Sequence, residues 1–431
     1  MRKVQIIGAR GRRLRRLLAV AGVGALLVTM AACGDDSADD DSQTEETVAA
    51  DAAADLLGPE DAASGEPVKI GLISDGRTDA FDNTDELRAG QAAAEYLNQH
   101  QAGIGGRPIE IVPCETGSDP AGATDCGNQM VEAGVVGVAL SQSAVAESFW
   151  EPVHAAGIPT FILTGFGEPL QKDTETTFLN ANPVATFFGL PIATAEAEDA
   201  KKVAFVVIDV PQAVDIIESD AAETMGKADL EYEVVRVPIG TADMTVQMQQ
   251  VVDSGAGVVH VIGNDSFCIA AFQGLTAVAY DGAITAVSQC ITDATREAMP
   301  GELEGINMLA TLAVGDTDDT GYQLYQAVMG TYGEDVTDVD NFVAVGGYAS
   351  VMTLATALEG ISGDITTATV AETIQGMAES EIPVAAGATF QCGGSADPEF
   401  PAVCTNQWLR AVLDADGEPA SYSVEDSTDI L

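Results

Sequence analysis

The fold is decided by the stretch Val68-Lys69-Ile70-Gly71-Leu72-Ile73 and by the residues after it as far as Ser143. The run is short, mostly apolar and rich in strand-favouring residues, which predicts a buried β-strand. A helical pattern over 85–98, a Gly-rich turn, a second strand at 109–112, another helix and a third strand at 135–140 come next. Strands and helices that alternate at this spacing predict a parallel sheet with right-handed crossovers.

The carboxyl ends of these strands indicate where a functional site belongs. In parallel α/β sheets, ligands bind in the crevice beyond those ends. Here the ends are the loops after Ile73, Val112 and Leu140. We therefore expect functional residues in these loops.

The alternation of strands and helices begins again after residue 183. The further strands are predicted at 203–208, 232–237, 258–262 and 283–287. Each half of the chain is large enough for its own domain, so the fold class is α/β, with two doubly wound parallel-sheet lobes. Beyond residue 320, the pattern changes to long amphipathic helices and a β-rich segment at 388–413, whose last predicted strand is 408–413.

The sequence is strongly acidic. It carries 67 acidic and 18 basic residues, which gives a net charge of −49. Nucleic-acid binding needs a basic footprint, so this charge excludes that class of protein. It also repels anionic ligands at long range and suits an exposed or salty environment.

Residues 1–32 have the pattern of a lipoprotein signal peptide. A basic region at 10–16 precedes an apolar region at 17–30 that is too short for a stable membrane span. Met30-Ala31-Ala32-Cys33 then resembles the lipobox of bacterial lipoproteins. That resemblance implies cleavage before Cys33 and a lipid on its thiol. The alternative is an ordinary secretory signal followed by an incidental cysteine.

Residues 33–66 predict an acidic, disordered tether. The segment is crowded with aspartate and glutamate and contains no aromatic residue. It cannot bury enough apolar surface to order itself. We expect it to join the lipid anchor to the folded body.

The cysteine count agrees with this interpretation of Cys33. Of seven cysteines, removing Cys33 leaves six, for which fifteen pairings are open. Disulfides persist in exported proteins, and short loops favour neighbouring pairs. A metal site is disfavoured, because no pair has the C-x-x-C spacing. The favoured bridges are Cys114–Cys126, Cys268–Cys290 and Cys392–Cys404.

Motifs for catalysis are missing from the sequence. Its three histidines, His100, His154 and His260, have no obvious partners, and neither G-x-S-x-G, H-E-x-x-H nor a phosphate-binding G-x-x-x-x-G-K-[ST] occurs. We therefore expect no enzyme, no metal and no cofactor.

Three features together resemble the leucine/isoleucine/valine-binding proteins of ABC importers. They are the opening strand at 68–72, the turn Gly103-Ile104-Gly105-Gly106-Arg107-Pro108 before the second strand, and a helix at 348–358 that is similar to the family's penultimate helix region. The order of elements agrees from Val68 to the end of the chain. The resemblance implies the type I periplasmic-binding fold, in which two lobes joined by three hinge crossings close on a ligand.

The resemblance also implies where the lobes begin and end. We place the crossings near 180–183, 313–316 and 385–389. Lobe 1 then holds 67–182 and 314–387, and lobe 2 holds 183–313 and 388–431.

In that family, the loop after the third strand binds the ligand carboxylate. Its counterpart is Ser141-Gln142-Ser143, just before a helix N-terminus, which favours an anion. The alternative is that Ser143 only caps this helix. The fourth strand is predicted at 157–163, and in the family the loop after it usually adds a hydroxyl and a backbone carbonyl.

The counterparts in that fourth-strand loop are Thr164, Gly165 and Phe166. Phe166 stands where the family has a small or hydroxylated residue, and it would stack on an apolar or planar ligand. Arg77 and Asp79 in the first loop are candidates for the mouth of the cleft, with a plain surface role as the alternative.

Lobe 2 departs from the family pattern. The family uses a residue after the first strand of this lobe, for which Asp209 to Gln212 are the counterparts, and an acid that holds the ligand ammonium. Gln289 stands in that acid's place and is neutral. Asn264 and Asp265 are further candidates, and Asp265 or Asp209 would substitute for the acid unless each is a solvated helix cap.

The resemblance implies a monomer that is lipid-anchored to the outer face of the cell membrane. It would deliver a small molecule, either an amino acid such as a branched-chain one or a small amide, to the permease subunits of an ABC importer. A ligand-binding sensor module that serves a receptor is one alternative. A surface hydrolase on the same scaffold is another.

Overall fold

Two separate β-sheets organise the chain. The structure is a computed structural model that describes residues 54–78, 81–165 and 167–430, and all of them belong to one compact unit. The predicted signal peptide, Cys33, Asp79 and Phe166 lie outside the described residues. No helix in the described ranges has the length and apolar character that a bilayer crossing requires.

Lobe 1 contains a five-stranded sheet in which every pairing is parallel, in the order β2-β1-β3-β4-β5. The prediction of alternating strands and helices is confirmed here. The strands are β1 Val68–Ser74, β2 Ile109–Glu115, β3 Gly137–Leu140, β4 Thr160–Ile162 and β5 Thr177–Leu179. The helices between them are α1 Thr84–His100, α2 Pro120–Ala133, α3 Ala146–Ala155 and α4 Glu168–Gln171.

Lobe 2 repeats this plan and extends it. A π-helical turn, Ala185–Gly189, leads into α5 Leu190–Ala197. The strands are β6 Lys202–Ile208, β7 Glu231–Val237, β8 Val258–Ile262, β9 Ala283–Val287 and β10 Asn307–Ala310. The helices are α6 Pro211–Lys227, α7 Thr245–Ser254, α8 Asp265–Ala277 and α9 Asp293–Ala298.

The remaining elements complete both lobes. Helices α10 Thr320–Tyr332, α11 Phe342–Ala357 and α12 Thr367–Gln375 are followed by a small antiparallel pair, β11 Ser380–Glu381 and β12 Thr389–Phe390. Strands β13 Gln407–Leu413 and β14 Pro419–Asp426 then join the lobe 2 sheet, whose order is β14-β13-β10-β9-β8-β6-β7. Only the pairings made by β13 and β14 in this sheet are antiparallel.

Helices α1 and α11 of lobe 1 pack at unusually short range. Gly347 lies against the backbone of Glu86, where an added Cβ would overlap with the Glu86 carbonyl oxygen. An added Cβ on Gly90 would likewise overlap with the Leu72 side chain and crowd the Gly347 carbonyl oxygen. Glycine permits this approach because it has no Cβ. The contact fixes the first turn of α1, which carries Glu86, against the centre of α11.

The three disulfides join the pairs that the short loops favour. The Cα atoms of Cys114 and Cys126 lie 5.6 Å apart and link β2 to α2. Those of Cys268 and Cys290 lie 5.3 Å apart, and those of Cys392 and Cys404 lie 4.2 Å apart. Each bridge therefore ties neighbouring parts of one lobe.

The third crossing lies farther along the chain than the family resemblance implies. Val403 pairs with Leu179 beside β5, and the Cys404 N–H donates to the Leu179 carbonyl at 2.8 Å. The chain therefore stays beside the lobe 1 sheet through residue 404 and crosses at 405–406 rather than at 385–389. Residues 391–404, which the resemblance assigns to lobe 2, form a disulfide-closed loop on lobe 1.

The end of the predicted tether is ordered along lobe 1. Leu57 is 7% exposed, and the Ala63 N–H donates to the Asn98 carbonyl at 2.7 Å. The His100 ring nitrogen Nδ1 lies 3.1 Å from the Gly58 carbonyl. Backbone hydrogen bonds to α1 thus order residues 54–66, which the acidic composition alone places in a disordered segment.

A buried polar cluster joins the first crossing to the third. Asn182, which follows β5, is 1% exposed. Its Nδ2 donates to Asp397 Oδ2 at 2.8 Å and to Asn406 Oδ1 at 3.0 Å. The second crossing is fixed separately, since the Ala313 N–H donates to the Val384 carbonyl at 2.7 Å.

Asn182→Ala should destabilise the protein by about 1–3 kcal/mol, because it leaves the buried Asp397 and Asn406 side chains without their donor. Urea denaturation at neutral pH measures the loss. The control is Asn128→Ala, since Asn128 is exposed on α2 and its loss should change stability by less than about 0.5 kcal/mol. Equal stability of the two variants would contradict the role of this cluster.

Candidate functional site

A cleft of about 860 Å³ lies between the two lobes. Its walls are formed where strands of both sheets end, as the rule for parallel sheets predicts. From lobe 1, it is lined by Asp75, Phe81, Asn83, Glu86, Pro120, 141–148, Thr164, Gly167, Phe342 and Val343. From lobe 2, it is lined by Thr186, Phe187, Ile208, Val210, Ala213, Ile262, Gly263, 287–289 and 309–311.

Asp75 accepts hydrogen bonds from donors at the start of α3. It is the first residue after β1 and is 8% exposed. The Ser143 hydroxyl donates to Asp75 Oδ1 at 2.6 Å, and the Ala144 N–H lies 3.4 Å from Oδ2. Thr116 Oγ1 donates to Oδ1 at 2.9 Å from the neighbouring loop. The carboxylate thus holds the 141–144 loop in place.

Glu86 is the second acid in this wall. It projects from the first turn of α1, is 3% exposed, and accepts a hydrogen bond from the Ser141 N–H at 3.3 Å. Burial raises the pKa of the Glu86 carboxyl from 4.5 to about 8, and this outweighs the hydrogen bonds from Ser74 and Ser141 that favour the charged form. The negative charge of Asp75 raises this pKa further.

The ionisable side chains that line the cleft are all acidic. Among the described lining residues there are three carboxyl groups, those of Asp75, Glu86 and the exposed Glu147, and no lysine, arginine or histidine. Arg77, a candidate from the first loop, is exposed and forms an ion pair with Asp82 instead of lining the cleft. The site therefore offers hydrogen-bond acceptors in excess.

The lobe 2 wall is mainly apolar. It presents Phe187 from the π-helical turn and residues at the ends of several strands. The polar exceptions are Thr186, Ser288, Gln289 and Thr311. The strand-end side chains are Ile208, Ile262, Val287 and Leu309. A ligand in the cleft thus meets acceptors on one side and apolar surface on the other.

The structure brings five of the predicted site residues to the cleft wall. They are Ser141, Gln142, Ser143, Thr164 and Gln289. The Ser143 hydroxyl also accepts from the Val145 N–H at 3.1 Å. Ser143 therefore supports the start of α3 while lining the cleft, so the helix-capping alternative describes part of its role.

The other candidates lie elsewhere. Gly165 packs behind the wall, where an added Cβ would come within 2.9 Å of Leu179 Cδ2. Asp209 is exposed between two lining residues and is not in the lining. Asn264 caps α8 by accepting from the Phe267 N–H at 3.1 Å, and Asp265 is a partly exposed residue of its first turn that does not line the cleft.

Two predicted residues cannot be placed against the cleft. Gln212 lies in the first turn of α6, and its side chain is not among those that the structure describes. Phe166 is outside the described residues altogether.

Sequence reasoning missed Asp75, Glu86 and Phe187. Asp75 stands in a loop that the strand-end rule selects, so a signal existed. Glu86 is in the first turn of a predicted helix, where acids are usually solvated. The glycine pair Gly346-Gly347 in an apolar helix was the available sign that α1 and α11 approach closely. Nothing in the sequence pattern marked Phe187.

The fold is similar to those of several solved structures. A branched-chain amino acid transporter substrate-binding protein from Streptococcus pneumoniae, crystallised with isoleucine, is 17% identical with a TM-score of 0.63, over 84% of this chain and 100% of its own. An ABC transporter substrate-binding protein from Sphaerobacter thermophilus is 18% identical with a TM-score of 0.64, over 84% of this chain and 97% of its own.

A third relative has a different kind of ligand in its name. A fatty acid ABC transporter substrate-binding protein from Thermomonospora curvata is 15% identical with a TM-score of 0.62, over 86% of this chain and 94% of its own. At such identities the likeness establishes the fold alone. No curated protein sequence matches the chain. The family model described as periplasmic binding protein matches residues 67–403. This chain therefore belongs to the periplasmic binding protein family.

Proposed function

We propose that this protein is an extracytoplasmic solute-binding protein that closes its two lobes on a small molecule and delivers it to an ABC importer. The observation that carries the proposal is the cleft itself, which lies at the strand ends of both lobes. Ligand sites in proteins are usually preformed clefts with few polar groups. The candidate ligand classes are amino acids, including branched-chain ones, and small amides.

The experiment is a thermal-shift screen of the purified protein against amino acids, amides, urea and polyamines. A ligand at 100 times its dissociation constant should stabilise the protein by about 2.7 kcal/mol. The proposal expects a concentration-dependent rise in melting temperature for one compound class. A screen without any stabilising compound would contradict it.

Ser143→Ala should weaken binding of the ligand found in this screen by about tenfold, which corresponds to about 1.4 kcal/mol. The Ser143 hydroxyl lies in the cleft wall and donates to Asp75 Oδ1 at 2.6 Å. Its loss therefore removes one polar group of the wall and a hydrogen bond that positions Asp75. Isothermal titration calorimetry measures the change. Ser423→Ala, on exposed strand β14, is the control, and equal affinities of the two variants would remove Ser143 from the site.

The same variant tests the hydrolase alternative. A binding protein returns its ligand unchanged, whereas a hydrolase yields products that mass spectrometry detects. Turnover that is lost in Ser143→Ala while binding is retained would favour the enzyme. The sensor alternative differs in its partner, so neighbouring permease and ATPase reading frames favour the importer over the receptor.

We also propose that Cys33 carries a lipid that anchors the protein, as a monomer, to the outer face of the membrane. The support is the Met30-Ala31-Ala32-Cys33 motif after an apolar region. In cells, Cys33→Ser should prevent lipid attachment and abolish labelling by a fatty-acid probe. Labelling that persists in this variant would contradict the anchor. Size-exclusion chromatography with light scattering tests whether the protein is a monomer in solution.

A further inference from the structure

The place where this fold could receive a ligand anion is already occupied by the protein's own acids. At the start of α3, the Ser143 hydroxyl and the Ala144 N–H both point to the Asp75 carboxylate, at 2.6 and 3.4 Å. Earlier in the same loop, the Ser141 N–H points to Glu86, at 3.3 Å. Three donors that would serve a ligand carboxylate are therefore committed within the protein.

Rotation of either acidic side chain away from the cleft would cost free energy. Glu86 is held by the glycine contact between α1 and α11, since Gly347 lies directly against its backbone. Asp75 accepts a further hydrogen bond from Thr116 Oγ1 at 2.9 Å. A ligand that displaced either carboxyl would leave a buried acid without its partners, which is costly.

The cleft has no positive group among its described lining residues that would compensate an anion. The nearby arginines are engaged outside it, Arg77 with Asp82 and Arg88 with Asp85, the latter at 2.6 Å. An additional carboxylate beside Asp75 would meet like charge at low dielectric, and like charges at close range disfavour each other strongly.

We propose that the ligand carries an amine or a primary amide whose N–H group donates to Asp75 and Glu86. It has no free carboxylate, and its apolar part packs against lobe 2. This inference rests on the proposed function and narrows its ligand class. The apolar wall of Phe187, Ile208, Ile262, Val287 and Leu309 receives the body. Free amino acids are accordingly poor ligands, although their amides and their decarboxylated amines are good ones.

A matched series of compounds tests the head group while the body stays constant. With an isobutyl body, the series is leucine, leucinamide, 3-methylbutylamine, 4-methylpentanamide and 4-methylpentanoate. The corresponding series with a phenyl body covers aromatic ligands. Isothermal titration calorimetry of the exported protein at neutral pH gives each dissociation constant. The amine and amide arms then show which of the two N–H donors the site prefers.

The inference expects at least tenfold tighter binding of an amine or amide than of the matching carboxylate or free amino acid. A carboxylate or amino acid that binds as tightly as its amide or amine would overturn it, while solute binding by the cleft would stand. If neither this series nor the broader screen yields a ligand, the proposed function fails and the inference with it.

Variants of the two acids separate recognition from mere support of the fold. Asp75→Asn keeps the shape of the side chain and removes its negative charge, whereas Glu86→Gln keeps the shape and replaces a carboxyl that burial keeps protonated at neutral pH with an amide. The ratio of carboxylate to amine dissociation constants should fall at least tenfold in Asp75→Asn and in the double variant. A purely structural role would weaken all ligands alike and leave that ratio unchanged, which would overturn the inference. Glu95→Gln, exposed on α1, is the control.

Discussion

The native protein should lose stability as the pH rises from about 5 to about 8, and Glu86→Gln should abolish this loss. Burial raises the pKa of Glu86 from 4.5 to about 8, so the folded protein keeps a proton that the unfolded chain releases. The stabilisation is complete below pH 4.5 and is lost as the pH rises through the folded pKa. Within this window, the contribution falls by about 1.4 kcal/mol per pH unit.

Denaturant unfolding at a series of pH values measures this effect as the difference between native protein and variant. The difference is needed because other groups also titrate. Burial lowers the pKa of His260 from 6.5 to about 3, and this neutral histidine makes stability rise with pH up to about 6.5. Asp75 is the acid that faces Glu86, together with Ser74 and the Ser141 backbone. The variant leaves all of them in place.

Glu95→Gln is the control for the pH series, since Glu95 lies on the same helix with an exposed side chain. It should keep the native pH dependence. A Glu86→Gln profile parallel to the native one would show that Glu86 ionises in the folded protein at its ordinary pH. The buried wall of the cleft would then carry one more negative charge at neutral pH.

Gly347→Ala should destabilise the protein by on the order of 3 kcal/mol. The new Cβ would overlap with the backbone of Glu86, and backbone cannot yield as the end of a flexible side chain can. The helices α1 and α11 must separate, which opens the core beneath the cleft. Urea denaturation of the purified variant measures the loss.

Gly330→Ala provides the matched control. Gly330 is also inside a long helix, α10, but an added Cβ there meets nothing within 4 Å. Because alanine favours helix over glycine, this variant should be more stable by up to about 1 kcal/mol. We therefore expect the two substitutions to change stability in opposite directions. Two variants with similar stability would mean that the close approach of α1 and α11 is not needed.

Most of the fold was predictable because its signals are local. Apolar runs such as 203–208 mark buried strands, and capping residues such as Asp119, which accepts from the Gly122 N–H at 2.9 Å, mark helix starts. Strand β14 was missed because it is an edge strand with mostly exposed side chains, so its pattern resembles a loop. The third crossing was misplaced because Val403 pairs with Leu179, and a contact so distant in sequence leaves no local trace.

The site was predictable in position but not in chemistry. The strand-end rule selects the loops of Asp75 and Ser143, because it depends only on topology. That Asp75 occupies the donors of the 141–144 loop depends on the register between β1 and β3, which no single stretch records. The burial of Glu86 depends on how closely α11 approaches. Both facts support our inference that the ligand carries no free carboxylate.

Small-angle X-ray scattering of the protein, with and without a saturating ligand from the screen, tests lobe closure most directly. Closure of two lobes about three crossings should reduce the radius of gyration as the ligand concentration passes its dissociation constant. The reduction should reach a plateau at the same saturation that calorimetry records. A radius of gyration that stays unchanged while the ligand is bound would contradict a protein that works by closing its lobes on a solute.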